Sequence, residues 1–363
     1  MTVTPTPFAP DWASPPGDTL QELLEERSMT QTELAERLGV TLKHVNRVVK
    51  GAASLSPEMA LGLEKVFGVT AAFWMTREAH YQADKARISQ REQFAGAVEW
   101  AKRFPLAEMR KRGRLARGLD GAELVESLVT FLGVAAPDQW RQQQVAYRKS
   151  QKFESDEYAL SAWLREGELA AAEIDCQPYD EERFIEALQA VRALTCDEDP
   201  ADWFPALQER CAAAGVAVVV VEAYKGVKAN GATRWLSPEK ALIQLSLRHA
   251  WIDIFWFSFF HEAGHVVLHR KKGIFVEVPP KDRSDDPQER QLEDEADRFA
   301  SRTLIPPTFD RRLKSLAATD VPAFAKTIGV SPAIVVGRLM HDGLLPWNSR
   351  LGNQYRARLK HAA

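Results

Sequence analysis

The stretch that decides the fold of the C-terminal half is F255-W-F-S-F-F-H-E-A-G-H-V-V-L-H269. On a helix with 3.6 residues per turn, His261 and His265 lie one turn apart on the same face. Two imidazoles placed in this way can reach one metal ion, and Glu262 can act as general base on an attacking water. The alternative is a buried helix whose histidines are hydrogen-bonded core residues.

A catalytic zinc site needs a third protein ligand and an open fourth position. The sequence predicts a second helix from about Pro287 to Leu304. This helix carries the acidic stretch E293-D-E-A-D297. We expect Glu293 to be the third ligand, and Asp297, one turn later, to orient a ligand imidazole. Glu295 lies about 200° around the helix from Glu293, so we expect it to be solvated.

His269 and the aromatic residues before the histidine motif are predicted to support the site without binding the ion. His269 would rise about 12 Å along the helix from His261, which is too far for one tetrahedral ion, so it is predicted to be structural. The aromatic residues of 255–260 are predicted to form a wall that keeps the ion in a medium of low dielectric constant.

At the other end of the chain, Thr30 and Glu33 form a predicted capping box, and Gly39 is expected to end the helix that follows. Thr41 is predicted to cap a second helix, 42–50, which gives a helix-turn-helix. The residues that suit phosphate contact or base reading in a major groove are Gln31, Thr41, Lys43, His44, Asn46, Arg47 and Lys50. The alternative is a small helical bundle that does not touch DNA.

The remaining patterns indicate the overall organisation. The β-branched run 216–221 predicts a buried strand, and 242–247 predicts an alternating, half-buried strand. We therefore predict a multidomain, mainly α chain with an α+β C-terminal domain. It comprises an N-terminal five-helix helix-turn-helix bundle, a helical middle and a zincin-like HExxH domain with a small sheet. The predicted limits are 1–17 (flexible leader), 18–80 (helix-turn-helix), 81–175 (helical connection), 176–345 (metallopeptidase-like domain) and 346–363 (tail).

Composition narrows the function classes. The chain of 363 residues has a net charge of -3, but 84–117 carries ten basic and four acidic residues, whereas 282–297 carries eight acidic and two basic ones. Each run is interpreted either as a solvated face or as part of a module with its own partner. Three scattered cysteines favour a reducing compartment. The sequence predicts a cytoplasmic protein that does not contact a membrane.

Residues 19–74 resemble the XRE-type repressor fold, especially the HigA-like antitoxins, on S56-P-E-M-A60 and F73-W74. The resemblance implies that the start of the second helix, here Gln31, touches the DNA backbone and that 41–50 enters the groove. A homodimer on a palindromic operator in double-stranded DNA is then expected.

Residues from about 205 to 310 resemble the ImmA/IrrE family of zinc metallopeptidases. The strand 216–221, the quoted histidine motif and E293-D-E-A-D-R-F-A-S-R-T-L-I-P-P307 carry this resemblance. It implies bound Zn²⁺, supports Glu293 as ligand, and implies that a partner repressor or antitoxin is cleaved or inactivated.

Two functions follow as hypotheses. The first is a DNA-binding transcriptional regulator with a zinc-dependent endopeptidase that cleaves a partner repressor or antitoxin. The second is a HigA-like antitoxin or repressor whose peptidase-like domain senses a signal or holds a toxin without turnover. The intact Glu262 favours the first, since a purely structural metal site does not need a base.

Overall fold

The computed structural model describes residues 11–148, 156–197, 199–248, 251–270, 274–277 and 286–359. The chain is divided into two compact units, Met1–Glu99 with Leu119–Glu126, and Trp100–Gly118 with Ser127–Ala363. As predicted, helices predominate within the described ranges, and strands occur in the C-terminal part.

The helices up to residue 148 are α1 (Pro16–Glu26), α2 (Gln31–Leu38), α3 (Leu42–Val49), α4 (Pro57–Phe67), α5 (Ala71–Ala95), α6 (Val98–Ala101), α7 (Leu106–Lys111), α8 (Gly121–Leu132) and α9 (Pro137–Arg148). Those that follow are α10 (Glu157–Ala172), α11 (Glu181–Ala193), α12 (Pro200–Ala212), α13 (Ile252–Leu268), α14 (Pro287–Leu304), α15 (Asp310–Lys314), α16 (Val321–Ile328), α17 (Pro332–His341) and α18 (Arg350–Tyr355). The strands are β1 (Val216–Val220), β2 (Gly231–Ser237), β3 (Lys240–Leu245) and β4 (Ile274–Glu277).

Helices α1 to α5 form the predicted five-helix bundle. The Thr30 hydroxyl accepts from the Glu33 amide while the Glu33 carboxylate accepts from the Thr30 amide, which confirms the capping box. Gly39 ends α2 in the left-handed conformation with φ of 69°, and the Thr41 hydroxyl caps α3. Leu34 and Val45 are fully buried between the helices, so the tight turn between α2 and α3 is fixed by caps and by a shared core.

The second unit contains a four-stranded mixed sheet in the order β1-β3-β2-β4. Strand β1 pairs parallel with β3, whereas β2 runs antiparallel to both β3 and β4. The buried strand predicted at 216–221 is confirmed as β1. The strands β2 and β4 were not predicted.

The expected half-burial of 242–247 is wrong, because β3 is a central strand covered on both faces. Ile243 packs into the main core together with α13. On the other face, the Gln244 amide donates to the Trp163 carbonyl of α10 at 2.7 Å.

Part of the basic run 84–117 has a structural role. Glu166, buried in α10, accepts from Arg112 Nη1 at 3.0 Å, Arg114 Nε at 2.9 Å and Tyr224 Oη at 2.7 Å. The Arg112 guanidinium also lies 3.9 Å from the centroid of the Tyr224 ring. A buried carboxylate needs such partners, so these two arginines compensate charge inside the second unit. Of the acidic run, 282–285 lies outside the described residues.

Among the described residues, no single helix has the length and apolar composition needed to cross a bilayer. One bent pair, Val321–Ile328 with Pro332–His341 at 108°, meets these two criteria only when its helices are taken together.

Candidate metal centre and helix-turn-helix surface

Helix α13 carries the histidine motif through the core of the second unit. Trp256 and Phe259, which precede the motif, are fully buried, and the Trp256 ring lies 4.7 Å from that of Trp203. These aromatic residues anchor the helix in the core, and their role as a wall around an ion stays a prediction. Within 255–260, Phe257 lies one turn before His261, with ring centroids 6.4 Å apart. His265 is instead stacked on Phe275 of β4, at 4.1 Å and 11°.

Gly264 brings the second helix close to the first. A Cβ atom at this position would lie 3.2 Å from Ala296 Cα and 3.2 Å from Phe299 Cβ, both in α14. The absence of a side chain at this position lets the two helices approach without such a tight contact. The approach places Glu293, less than one turn before Ala296, beside the histidines of α13.

Three side chains meet at one point. His261 Nε2 and His265 Nε2 are 3.1 Å apart, and the Glu293 oxygens lie 3.4 Å from the first nitrogen and 3.3 Å from the second. With zinc–nitrogen bonds of 2.0–2.1 Å, neighbouring ligands of a tetrahedral ion are separated by about 3.3 Å. The set His261, His265 and Glu293, all buried, therefore fits zinc in both ligand type and spacing.

The far side of each histidine ring is also supported. His261 Nδ1 lies 2.8 Å from Asp297 Oδ1, the contact expected for an orienting carboxylate. His265 Nδ1 lies 2.9 Å from His269 Nδ1, and His269 Nε2 lies 2.9 Å from Glu295 Oε2. If His269 donates from Nε2 to Glu295, its Nδ1 accepts a hydrogen bond from His265 Nδ1. The Nε2 lone pairs of His261 and His265 then face the common point.

This arrangement corrects the interpretation of Glu295. The carboxylate is not simply solvated, because one oxygen binds the buried His269 and the other accepts from Gln291 at 2.8 Å. The hydrogen bond from Gln291 and, to a smaller extent, the hydrogen bond from His269 lower the pKa of Glu295. His269 is outside the three-ligand group. Its i+4 spacing was visible in the sequence, but the partner on α14 was not.

Glu262 directly follows His261 on α13. It is completely buried, and neither of its carboxylate oxygens has a hydrogen-bond partner among the described residues. Burial raises the pKa of Glu262 well above its usual value. A buried polar group without partners is costly, which is typical of a site completed by a ligand or water.

Gly231 of β2 forms the space for this carboxylate. A Cβ atom there would lie 2.7 Å from Glu262 Oε1. The glycine was not identified from the sequence, because β2 itself was not predicted.

The charges of the three ligand side chains are strongly coupled. Burial lowers the pKa of His265 to about 4, which keeps this ring neutral at pH 7. Burial acts in the same direction on His261, but hydrogen bonds with Asp297 and Glu293 outweigh it and raise the pKa. For Glu293, burial raises the pKa, yet the two histidines more than offset this and lower it. The Glu293 carboxylate therefore faces one ring, His261, whose protonated form is favoured, and a second ring, His265, that is neutral.

The residues expected to contact DNA lie on α2 and α3. Lys43, Arg47 and Lys50 are exposed and share one stripe of α3 and its C-cap, at positions i, i+4 and i+7. Arg47 also donates to the Ala52 carbonyl at 3.1 Å. The stripe therefore presents three positive charges on one side of the bundle.

Three amide side chains are linked by hydrogen bonds across α1, α2 and α3. Asn46 Nδ2 donates to Gln31 Oε1, and Gln31 Nε2 donates to Gln21 Oε1, both at 3.3 Å. His44 and Asn46 are half-buried, and Thr41 is exposed at the N-cap of α3. Gln31 and Asn46 therefore help to set the angle between α2 and α3, which sequence reasoning did not predict.

Comparison with known proteins gives two family matches. Residues 20–74 match the helix-turn-helix family, and residues 253–340 match the family described as IrrE N-terminal-like domain of peptidase M78. The chain joins an XRE-type helix-turn-helix domain to an IrrE-like peptidase-family domain. Both predicted resemblances are confirmed.

Individual relatives match the helix-turn-helix domain. An uncharacterized HTH-type transcriptional regulator, YddM, of Escherichia coli K12 is 35% identical over 60 residues, covering 16% of this chain and 64% of its own length. A putative HTH-type transcriptional regulatory protein of Pyrococcus furiosus is 45% identical over 51 residues, covering 14% and 16%. The chain thus spans less than two thirds of each of these relatives.

Among solved structures, the antitoxin HigA of Pseudomonas aeruginosa, determined with the higBA promoter, is 30% identical. The match covers 23% of this chain and 90% of HigA, with a TM-score of 0.22.

Proposed function

We propose that this chain is a DNA-binding transcriptional regulator that carries a zinc-dependent endopeptidase domain. The observation that carries the proposal is the convergence of His261, His265 and Glu293 at zinc-ligand spacing, beside the unpartnered carboxylate of Glu262. The M78 family match at 253–340 supports the same reaction class.

Each side chain then has a role set by its contacts. His261, His265 and Glu293 would hold zinc, which supplies Lewis-acid activation of the peptide carbonyl and of water. Asp297 and His269 fix the two ligand rings so that their Nε2 lone pairs converge. Glu262 removes the proton of the attacking water and delivers it to the leaving amine. Burial raises its pKa, which makes the Glu262 carboxylate a stronger base.

The first experiment tests this enzyme function. Glu262→Gln keeps the size of the side chain and should leave the zinc content at wild-type level, while cleavage of the repressor or antitoxin encoded next to the gene should fall about 10²- to 10⁴-fold. His265→Ala is the matched control, because it should lose both metal and cleavage. If Glu262→Gln cleaves the partner as fast as wild type, the proposed mechanism is wrong.

We propose that the helix-turn-helix domain binds an operator in double-stranded DNA as a homodimer, with α3 in the major groove. The stripe of Lys43, Arg47 and Lys50 supports this orientation, and Gln31 and Thr41 are suited to backbone contacts at the helix N-termini. His44 and Asn46 would contribute to reading the bases. We also propose that the helix-turn-helix domain spans 18–80, the helical connection 81–175 and the metallopeptidase-like domain 176–345.

Operator binding can be tested by charge removal. Lys43→Ala with Arg47→Ala should weaken binding and reduce the slope of log K against log salt by up to about 3.6, since the homodimer loses up to four phosphate contacts and each contributes about 0.9. The matched control is Arg37→Ala with Lys65→Ala, which removes the same charge from exposed positions of α2 and α4. Equal binding of both double variants would exclude α3 as the recognition helix.

A second candidate function is supported by one observation. His261, Glu262 and His265 are all 0% exposed, so these three side chains are shielded from a peptide in this conformation. A HigA-like antitoxin or repressor that binds a toxin or senses a signal without turnover would need no opening. In that case Glu262→Gln would repress transcription and neutralise the toxin like wild type, and neither protein would cleave the partner.

A further inference from the structure

A cavity of about 460 Å³ opens on the outer side of α14, away from Glu293. Four of its lining residues, Glu295, Arg298, Phe299 and Arg302, follow one another at positions i, i+3, i+4 and i+7 and so form a single stripe of the helix. The other lining residues come from α11, the end of α13 and the end of α14: Gln189, Leu268, Thr303 and Pro306. The volume is in the range of small-molecule sites.

The cavity lining carries two arginines against one carboxylate, Glu295, which attracts Arg298, so the lining is positive overall. Arg302 makes no hydrogen bond or ion pair with the described part of the chain, and Arg298 donates through Nε to the Asp294 carbonyl at 3.1 Å. Like charges one turn apart on a helix repel each other. The oxygens of Glu295 are already used by His269 and Gln291. Two guanidinium groups are therefore available to an anion.

The rest of the lining indicates what such an anion would carry. Gln189 and Thr303 can donate further hydrogen bonds, whereas Leu268, Phe299 and Pro306 provide an apolar surface. Leu268 is 47% exposed, so part of this apolar surface is accessible to a ligand. Guanidinium groups recognise planar or tetrahedral oxyanions through paired hydrogen bonds.

We propose that this cavity binds a small organic anion, with a carboxylate or phosphate head on Arg298 and Arg302 and an apolar body on Leu268 and Phe299, and that Glu295 transmits its occupancy to the metal-binding histidines. Glu295 lines the cavity and also contacts His269, which in turn contacts His265. A ligand that moves Glu295 changes the support of His265 through two hydrogen bonds.

The binding is tested by calorimetric titration of the zinc-free, full-length protein with phenyl phosphate, benzoate and inorganic phosphate. We expect saturable binding of one of the two organic probes at one site per chain, and the better probe identifies the head group. Arg302→Gln should weaken this binding about tenfold or more, as expected for a lost charge-assisted hydrogen bond. Arg311→Gln removes an exposed arginine outside the cavity and should bind like wild type.

Absence of saturable binding at probe concentrations up to about 10 mM, well above the dissociation constant expected for a specific site, would overturn the proposal. Equal affinity of Arg302→Gln and wild type would do the same. Inorganic phosphate that binds as tightly as the organic probes would refute the assigned apolar contacts. Because zinc is absent from this titration, its result is independent of whether the proposed metal centre is correct.

The link to the centre has a separate readout. In zinc-free protein with labelled histidines, the bound probe should shift the imidazole resonances of His265 and His269. In Glu295→Gln the same probe should bind without shifting them, because the neutral amide no longer holds His269 as a carboxylate does. Unchanged resonances in wild type at saturating probe would refute the transmission.

Discussion

The closest helix contact of the metal centre offers the sharpest test of how the site is built. Gly264→Ala adds a methyl group that would lie 3.2 Å from Ala296 Cα and from Phe299 Cβ. Carbon atoms in contact prefer 3.5–4.0 Å, so we expect α14 to move away from α13 by about 0.3 Å or more. Metal–ligand distances tolerate only about 0.2 Å. Glu293, on the same turn of α14, would then be displaced beyond this tolerance.

We expect Gly264→Ala to lower zinc affinity about 10- to 100-fold, the loss typical of a ligand whose support is removed. The overpacked helix pair should also reduce the free energy of unfolding by about 1–3 kcal/mol. Zinc affinity is measured by competition with a chromophoric chelator, and stability by urea unfolding of the zinc-free protein.

Phe324→Leu is the matched control for lost stability. Phe324 is fully buried in the same core but lies on α16, so its shortening should cost about 1–3 kcal/mol without moving α14. Wild-type zinc affinity in this variant, together with reduced affinity in Gly264→Ala, would isolate the helix separation as the cause. If Gly264→Ala binds zinc like wild type, the distance between α13 and α14 does not determine the site.

Three further predictions concern single side chains. Asp297→Asn should lower zinc affinity about 10- to 100-fold, because it weakens the 2.8 Å contact that orients His261; chelator competition measures it. Glu166→Gln should lower the free energy of unfolding by about 1–3 kcal/mol in urea, because a neutral amide satisfies the two arginines less well than the carboxylate does, whereas an unchanged midpoint would contradict this. Burial raises the pKa of Tyr179 to about 12 in the folded protein. The stability that this shift contributes is complete below pH 10 and lost towards pH 12, so Tyr179→Phe should lose less stability than wild type in this window.

The sequence was most informative where local chemistry determines the structure. The capping box at Thr30, the left-handed Gly39 and the proline-terminated helix 287–304 follow from backbone rules that act within a few residues. The grouping of Glu293 with the two histidines could be predicted because the ligand preference of zinc restricts the choice.

Features that depend on tertiary position were missed. Strand β4 has only four residues, too few for a clear periodicity, and yet it supplies the ring of Phe275 against His265. Strand β2 mixes small, charged and aromatic residues, and its register decides that Gly231 faces Glu262. Glu295 was expected to be solvated from its angle on the helix, because that angle does not reveal which neighbour the carboxylate meets.

His265 and His269 show why position on a helix alone cannot assign a metal ligand. Each follows the preceding histidine by four residues, and all three rings lie on one face of α13. The difference comes from α14, which presents Glu293 to the first two rings and Glu295 to the third. The end of α14 is held in turn by Arg192, whose Nε donates to the Leu304 carbonyl at 3.0 Å. Because one helix carries the proposed metal ligand Glu293, the proposed orienting carboxylate Asp297 and the arginines of the cavity, we expect a displacement of α14 to change all three together.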